Sequence, residues 1–564
     1  MRLAQGKWGT DAARAIKADP YGAAVTVGAT LADADLAAEA AGMDASRRAA
    51  KRAEWLLATA GRNGHTIVAT DMQPPGAHDV VVFKRGDRED REDREDRKDR
   101  AYAVTKNAYE IDAFVAAELK DRATAPRWHP GVLKIDPADP DLCAEQLAAV
   151  EAIGQCALCV VTGPPGSGKS HLVRAIVRAL GADRCLLTAP TGRCARSLEG
   201  RTVHSHTARA GGRTETAHRR PLQETSKADI RDDLLLLACD EASMLTGELM
   251  ASLLRLAPRG AHVLLVGDVD QLPPVGPGNV LADIVRTGAC TVVRLGQNHR
   301  FGAGISAAAA DVLAGRPPTA CETVVVSQPR DLVAETVKLA LRGAQPLVPT
   351  NAARTTLNRA IQVAKSPCGV DVVLTRSIGA ADAAAGDRGT LRIDSEGRAT
   401  LTTARGKVSA GISTMLGSTR VSPAGRLASE PGVFLAPGDP VVILKNQAGK
   451  TGRLACNGDV GVLETFSSTH AMVDIDGHVH KISFPPGRAD RHLTLAHALT
   501  VHKAQGGEFP SVVLPVAEGW NRGLLYTAIS RAKDIVHVMG SPRDVIAAAA
   551  RAPIDRDTLL RVLL

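Results

Sequence analysis

Apolar positions in this chain recur mostly as uninterrupted runs. From about residue 136 onward, runs of five to eight apolar residues alternate with helical stretches: ALCVVTG, CLLTAP, DLLLLACDE, HVLLVGD and TVVRLGQ. Strands covered on both faces show no polar alternation, so this texture predicts a buried parallel sheet with crossover helices. A Gly-, Ser- and Thr-rich stretch, about 366–490, breaks the pattern with shorter runs (VDVVLT, GTLRID, ATLTTA, HAMVDIDGHVHKISF) that predict short strands and turns. HALTVHKAQ, SVVLPV and DIVHVMG then restore it, so the β-rich part reads as an insertion in a second α/β domain. Residues 11–60 are alanine-rich with helical spacing and predict a small helical domain. After it comes Asp87 to Arg100, DREDREDREDRKDR, whose six basic and eight acidic side chains offer no face to bury and read as a solvated linker.

Composition narrows the function classes. A length of 564 residues allows about three to five domains and excludes a peptide hormone or a disulfide-stapled mini-protein. Lys and Arg outnumber Asp and Glu by 69 to 61, a net +8 that leans toward a polyanionic partner. Aromatic residues make up 3%, too few for a site built of stacked rings, so contacts with a nucleic acid would fall on phosphate. The ten cysteines are dispersed; the close pair Cys156/Cys159 has no second CxxC at zinc-ribbon spacing, so they read as buried thiols of a reducing compartment. With no signal-peptide core and no run of about 20 uncharged apolar residues, the expectation is a soluble, cytoplasmic protein without a membrane partner.

The run CALCVVTG leads into GPPGSGKS, residues 163–170, and then into HLVRAIVRAL, which is GxxxxGK[ST] in its strand–loop–helix context. Gly163, Gly166 and Gly168 let backbone N–H groups wrap a phosphate, with Pro164, Pro165, Ser167 and His171 in the same segment. Lys169 supplies a point charge at the β/γ-phosphates, and Ser170 is a Mg²⁺ ligand. About seventy residues on, LLLLAC ends in Asp240-Glu241, at the strand edge where open α/β sheets bind ligands. Asp240 would hold Mg²⁺ and Glu241 would polarise an attacking water. HVLLVG delivers Asp268 and Gln271 in GDVDQLPPVGPG, where a glutamine suits γ-phosphate sensing. A nucleoside kinase needs none of this third strand's chemistry.

GPPGSGKS, APTGRCARSLEG with TVHSHTA, DEASML, GDVDQLPPVG, LGQNHR, LTVHKAQGGEF and LLYTAISRAK stand in the order and spacing of superfamily 1 helicase motifs. The chain resembles the RecD-like (1B) branch over about 136–545, and the upstream AIKADPYGAAV, Asp33 to Met43 and NGHTIV resemble its helix-hairpin-helix region. Pif-type helicases share most of these motifs and are the runner-up. The resemblance implies that Gln146 reads adenine and Glu508 contacts ribose. It also implies that Arg300 and Arg531 reach the γ-phosphate from the second domain, and that Thr191, Arg193, Thr202, His204, Asn351, Thr500, His502 and Lys503 line a DNA track.

Two departures stand out. The segment where the family carries a strand-separating pin is polar and basic here, with no aromatic or long apolar tip, and the stretch of about 366–432 is longer than the family's usual connection.

The expected fold class is α/β: two RecA-like P-loop domains with a helical N-terminal domain and an inserted SH3-like β-barrel. The expected boundaries are 1–86 helical, 87–100 linker, 101–135 helical connector, 136–288 first RecA-like domain with a short insertion at about 208–231, 289–365 second RecA-like domain, 366–490 β-rich insertion with the barrel, and 491–564 the second domain's remainder. The resemblance implies a monomeric ATP- and Mg²⁺-dependent 5′–3′ DNA helicase acting on single-stranded and forked DNA in repair, recombination or replication, with proteins of those processes as further partners. The alternative class is a DNA-stimulated ATPase that remodels protein–DNA complexes without unwinding. A nuclease or relaxase fusion would need a histidine cluster near the N-terminus, where only the widely spaced His65, His78 and His129 occur.

Overall fold

Two all-parallel sheets organise the chain in the computed structural model. It describes residues from 19 onward, leaving out 44–50, 71–79, 85–100, 126–132, 136–140, 204–232, 297–301, 379–386, 448–454 and shorter stretches within 28–64, at 134 and within 367–432. The charged segment 87–100, the insertion 208–231, His204 and Arg300 therefore lie outside the described residues.

The first sheet has six strands: β1 Leu158–Thr162, β2 Cys185–Ala189, β3 Arg201–Thr202, β4 Leu236–Cys239, β5 His262–Gly267 and β6 Thr291–Arg294. Their order is β3-β2-β4-β5-β1-β6, every pairing parallel. β1, β4 and β5 are buried along their whole length, which is what their unbroken apolar runs require. The second sheet has five strands: β7 Val324–Ser327, β8 Gln345–Val348, β9 Leu499–Thr500, β10 Phe509–Pro515 and β11 Ala532–Met539. The order is β7-β11-β10-β8-β9, again all parallel. These are two RecA-like α/β domains. The first sheet runs past residue 288, since β6 is its edge strand.

The chain between β8 and β9 holds two separate five-stranded antiparallel sheets, each with its own core, where a single β-rich insertion was expected. One comprises Val370–Leu374, Arg388–Ile393, Ala399–Thr403, Gly406–Ala410 and Thr419–Val421. The other comprises Pro440–Ile443, Val460–Phe466, His470–Ile475, His478–Ser483 and Leu493–Leu495, and its end strands do not pair among the described residues, so it is an open sheet.

The amino-terminal part is only partly helical. Helices Pro20–Val27 and Leu31–Ala40 pack through Tyr21, Ala24, Ala34 and Ala38. Strands Val68–Thr70 and Val80–Lys84, however, flank Ala101–Thr105 in an antiparallel sheet, because VVVFK and AYAVT favour extended backbone. The segment from 101 thus opens as a strand and turns helical only at Lys106–Thr124.

The carboxyl terminus also departs from expectation. Residues 556–564 leave the second domain and dock on the first. Arg556 donates to the carbonyls of Pro274 (3.1 Å), Gly276 (2.8 Å) and Gly278 (2.6 Å), and Leu559 N–H donates to Thr66 Oγ1 at 2.7 Å. Thr558 and Arg561 donate to buried Asp283 at 2.7 and 3.1 Å. Beneath this tail lies Asp112, whose Oδ2 has no hydrogen-bond partner. Burial, and then the neighbouring Asp283 carboxylate, push its carboxyl up to about 7. No helix among the described residues is long and apolar enough to cross a membrane.

Folded protein keeps a proton on Asp112 to about pH 7, whereas the unfolded chain loses it near pH 4. Folding therefore takes up a proton between those limits, and stability falls as pH rises through them, by up to about 1.4 kcal/mol per pH unit. Asp112→Asn should match the wild type near pH 4 and exceed it at pH 8 in denaturant unfolding. Parallel stability curves would show that Asp112 does not titrate in this window.

Candidate functional site

The loop after β1 needs glycine for steric reasons. A side chain at Gly163 would strike the carbonyl oxygen of Leu295, and Gly166 and Gly168 have φ of 83° and 81°, a left-handed conformation costly for other residues. Helix Lys169–Leu180 then starts at Lys169. Lys169 Nζ donates to the carbonyls of Gly163 (2.7 Å) and Pro164 (2.8 Å), inside the loop it closes. Ser167 Oγ is buried without a partner. Pro165 and His171 lie half-buried beside it.

Facing this loop, Ser170 Oγ donates to Asp240 Oδ2 at 3.0 Å, while Asp240 Oδ1 accepts from the Glu241 N–H at 2.8 Å. Glu241 has φ 53°, an unusual backbone for a non-glycine residue, as it turns out of β4. Desolvation raises the pKa of both Asp240 and Glu241, and the Asp240 carboxylate further opposes the ionisation of Glu241. Desolvation also lowers Lys169, against the attraction of Asp268, Glu241 and Asp240. The cluster thus concentrates charge where water has been displaced. Among the described residues no group of three or more His, Cys, Asp or Glu could cage a metal, so Ser170 and Asp240 would leave most positions on Mg²⁺ to water and phosphate.

The second domain delivers Arg531 to this cluster. Its guanidinium, 3% exposed, donates from Nε to Thr527 O (3.1 Å) and from Nη2 to Ser530 Oγ (3.0 Å), and its charge favours ionised Glu241. Three contacts lock the domains there. Tyr526 Oη donates to Asp268 Oδ2 at 2.7 Å, the oxygen that also accepts from Gln271 Nε2 at 3.2 Å. Leu272 N–H donates to Thr527 Oγ1 (3.1 Å), and Leu272 O accepts from Gln505 Nε2 (3.5 Å). Leu272, carried by the first domain, lies in the second domain's apolar core. Gln271 Oε1 is left buried and unpartnered beside the cluster.

Other expected residues have local duties. Gln146 accepts from Cys143 N–H at 3.1 Å as a helix cap and donates to Gly168 O at 3.3 Å, which braces the phosphate loop with the amide expected to read adenine. Glu508 pairs with Lys533 at 3.4 Å.

The track residues fall into two groups at the carboxyl edges of the two sheets. Thr202 ends β3 opposite Ala189 of β2, and Thr191 follows β2. Thr500 ends β9 opposite Val348 of β8, and Asn351 follows β8. Thr191 caps helix Gly192–Ser197, Thr500 Oγ1 accepts from Lys503 N–H at 3.3 Å, and Thr202 is buried, so these hydroxyls serve backbone or core first. Asn351 is exposed, and His502 and Lys503 are half-buried. Burial and the nearby Arg556 lower the His502 pKa. Arg193 reaches across to the Phe509 ring at 5.8 Å.

Sequence reasoning took Arg531 from LLYTAISRAK and passed over Tyr526 and Thr527 beside it, and took Glu508 from QGGEF but not Gln505. Their partners are distant in sequence, and only the position of these polar residues within apolar runs hinted at them. A second bridge went unnoticed too: Arg196 of the first domain pairs with buried Asp459, which holds Cys456 N–H at 2.7 Å.

Thr527→Val keeps the shape and strands the Leu272 N–H, at a cost of about 1–3 kcal/mol in denaturant unfolding. Tyr526→Phe combined with Asp268→Ala should show a coupling energy of about 0.5–3 kcal/mol in a double-mutant cycle. Additive effects would mean that the two side chains do not meet in solution.

Residues 141–335 match the family model described as AAA domain, and residues 495–539 match the one described as UvrD-like helicase C-terminal domain. The ATP-dependent RecD2 DNA helicase of Deinococcus radiodurans is 31% identical over 74% of this chain and 52% of its own length. The RecBCD enzyme subunit RecD of Mycobacterium tuberculosis is 29% identical over 73% of this chain and 71% of its own. Among solved structures, Pif1 helicase from Bacteroides in complex with ADP-AlF3 and ssDNA is 18% identical, with a TM-score of 0.44 over 73% of this chain and 95% of that one. The chain spans about half the length of the Deinococcus relative. Over about three quarters of its length, this chain is thus similar to RecD-like helicases, in keeping with the ordered motif series in its sequence.

Proposed function

We propose that this chain is an ATP-dependent motor that moves along single-stranded DNA and separates duplex, in the 5′–3′ direction that RecD-like resemblance implies. One observation carries the reading. Arg531, fixed by its own domain, faces the Lys169–Asp240–Glu241 cluster of the other domain, so the reactive site is complete only when both domains contribute. Bound ATP with Mg²⁺ supplies the scissile phosphoanhydride and the cation that offsets its charge. The orphaned Ser167 Oγ and Gln271 Oε1, and carboxylates that lack a sufficient counter-charge, fit such a ligand.

Lys169 binds the β/γ-phosphates, and Ser170 with Asp240 holds the cation. Glu241 orients and polarises the attacking water, and Gln271 senses the γ-phosphate. Arg531, with Arg300 as its counterpart in the QNHR motif, stabilises charge on the transferring group. Gln146 would brace the phosphate loop and offer its remaining N–H to the base, and Glu508 would meet the ribose. Thr191, Arg193, Thr202, His204, Asn351, Thr500, His502 and Lys503 form the track, where hydroxyl, amide and cationic groups hold the sugar-phosphate backbone without reading sequence. The open sheet Pro440–Leu495 reads as the SH3-like module, and the paired helices after Pro20 read as part of a helix-hairpin-helix unit that steadies forked DNA. The motor works as a monomer in a cytoplasmic, DNA-containing compartment, alongside repair or replication proteins.

A second reading, remodelling of protein–DNA complexes without unwinding, draws on the polar, basic segment GGRTETAHRRPLQETSKADIRDD, which has no apolar tip to split a duplex.

ATP turnover should rise with single-stranded DNA. Glu241→Gln should lose about 10²–10⁴-fold in turnover while still binding nucleotide, and Lys169→Ala should lose both. Normal turnover in either variant would remove its catalytic assignment. Strand displacement from 5′-tailed but not 3′-tailed duplexes is expected. The reverse preference would overturn the polarity, and turnover without displacement would favour remodelling.

A further inference from the structure

The sheet at 370–421 has no role in the reading above, and its outer face has a definite chemistry. Its inner face is apolar: Val372, Leu374, Leu391, Ile393 and Leu401 pack with Met415 against Leu357, Ala360 and Ile361 of helix Asn351–Lys365. Antiparallel register puts directly opposed residues on one face, so the other face follows from the pairs Thr390–Thr402, Arg392–Thr400, Thr402–Lys407 and Thr400–Ser409, together with Arg388 two residues before Thr390. Arg388, Arg392, Thr402, Lys407 and Ser409 are exposed there. The Thr400 and Ser409 hydroxyls meet at 3.2 Å. Register adds positions Asp371, Val373 and Arg420, one acid, one apolar residue and one base, so the surplus stays at three positive charges.

We propose that this face binds the sugar-phosphate backbone of a nucleic-acid strand outside the track, an inference that rests on the DNA-motor reading. Arg388 and Arg392 lie roughly 13 Å apart along one strand, with Lys407 roughly 10 Å away across the sheet, so the cations spread over a surface as wide as several nucleotides. Hydroxyls fill the positions between them, and such donors grip phosphate and sugar without reading bases. Cations and hydroxyls outnumber the one apolar position that the register gives this face, Val373, whereas a protein interface would need an apolar centre. Position supports the same occupant: Val348 and Ala498 belong to this sheet's core, three residues before Asn351 and two before Thr500, so the sheet flanks the track's second-domain edge.

The test is the full-length chain carrying Arg388→Glu, Arg392→Glu and Lys407→Glu together, beside the corresponding triple glutamine variant. Affinity is measured by fluorescence anisotropy against salt, for oligodeoxythymidylates of about 8 and about 30 nucleotides, bracketing the roughly 4–16 that one module covers. The long oligomer should bind the glutamate variant about 10–100-fold more weakly, with a salt slope flattened by about two and the glutamine variant intermediate. Binding of the short oligomer should not change. Unchanged affinity and slope for the long oligomer, at unaltered melting temperature, would overturn the proposal and leave the face to a protein partner or to solvent. A wild type that binds neither oligomer would overturn the motor reading itself, and a wild type that binds both equally would overturn this face alone. A glutamate variant that melts early is judged on the glutamine variant, whose exposed neutral side chains remove charge without adding repulsion.

Discussion

The insertion of Leu272 from the first domain into the core of the second is the contact on which the rest depends. Its side chain is 4% exposed among residues such as Trp520, Leu524 and Tyr526, while its backbone N–H and C=O are both taken up by the second domain. Apolar burial supplies the attraction, and the directional bonds fix the register, since a buried N–H or C=O without a partner is costly. Asp268 and Gln271, in the same turn, are thereby tied to Tyr526, and Arg531 is held five residues further along the chain. A shift at this joint would move Gln271 and Arg531 together. Gln505 sits two residues after Lys503, so the proposed track would share this joint with the Lys169–Asp240–Glu241 cluster.

The reactive cluster shows the electrostatic counterpart of that packing. Crowding removes water from Lys169, Asp240 and Glu241, and each pKa moves in the direction that disfavours charge. Such groups persist because opposite charges face one another and because the site is built for a charged ligand. In the proposed mechanism the distance between Arg531 and Glu241 would govern the chemistry through field strength, which is much greater here than in water. Arg196 paired with buried Asp459 and the tail docked by Arg556 tie the inserted sheet and the carboxyl terminus to the first domain.

Legibility in the sequence followed the range of the interactions. CALCVVTG, LLLLAC and HVLLVG announced β1, β4 and β5, because burial on both faces leaves a local signature. The phosphate loop was equally readable, since its glycines, lysine and serine act within eight residues. The strands at 68–70, 80–84 and 101–105 were not, because they pair across the charged segment and two of them are short or irregularly patterned. Neither was the return of residues 556–564 to Thr66 and Asp283, which involves partners hundreds of residues away. Thr191, Thr500 and Gln146 were found as motif positions, yet their first duties are helix and turn caps, which motif matching does not distinguish from ligand contacts. Tyr526 and Thr527 were passed over because a tyrosine or threonine in an apolar helix reads as packing until its partner is known.

The central claim is that the second domain completes the ATP site through Arg531, and single-turnover hydrolysis by Arg531→Ala with prebound ATP and Mg²⁺ tests it most directly. A loss of about 10³–10⁵-fold in the hydrolysis step, with nucleotide affinity little changed, is the predicted result. Hydrolysis near the wild-type rate in that variant would contradict it.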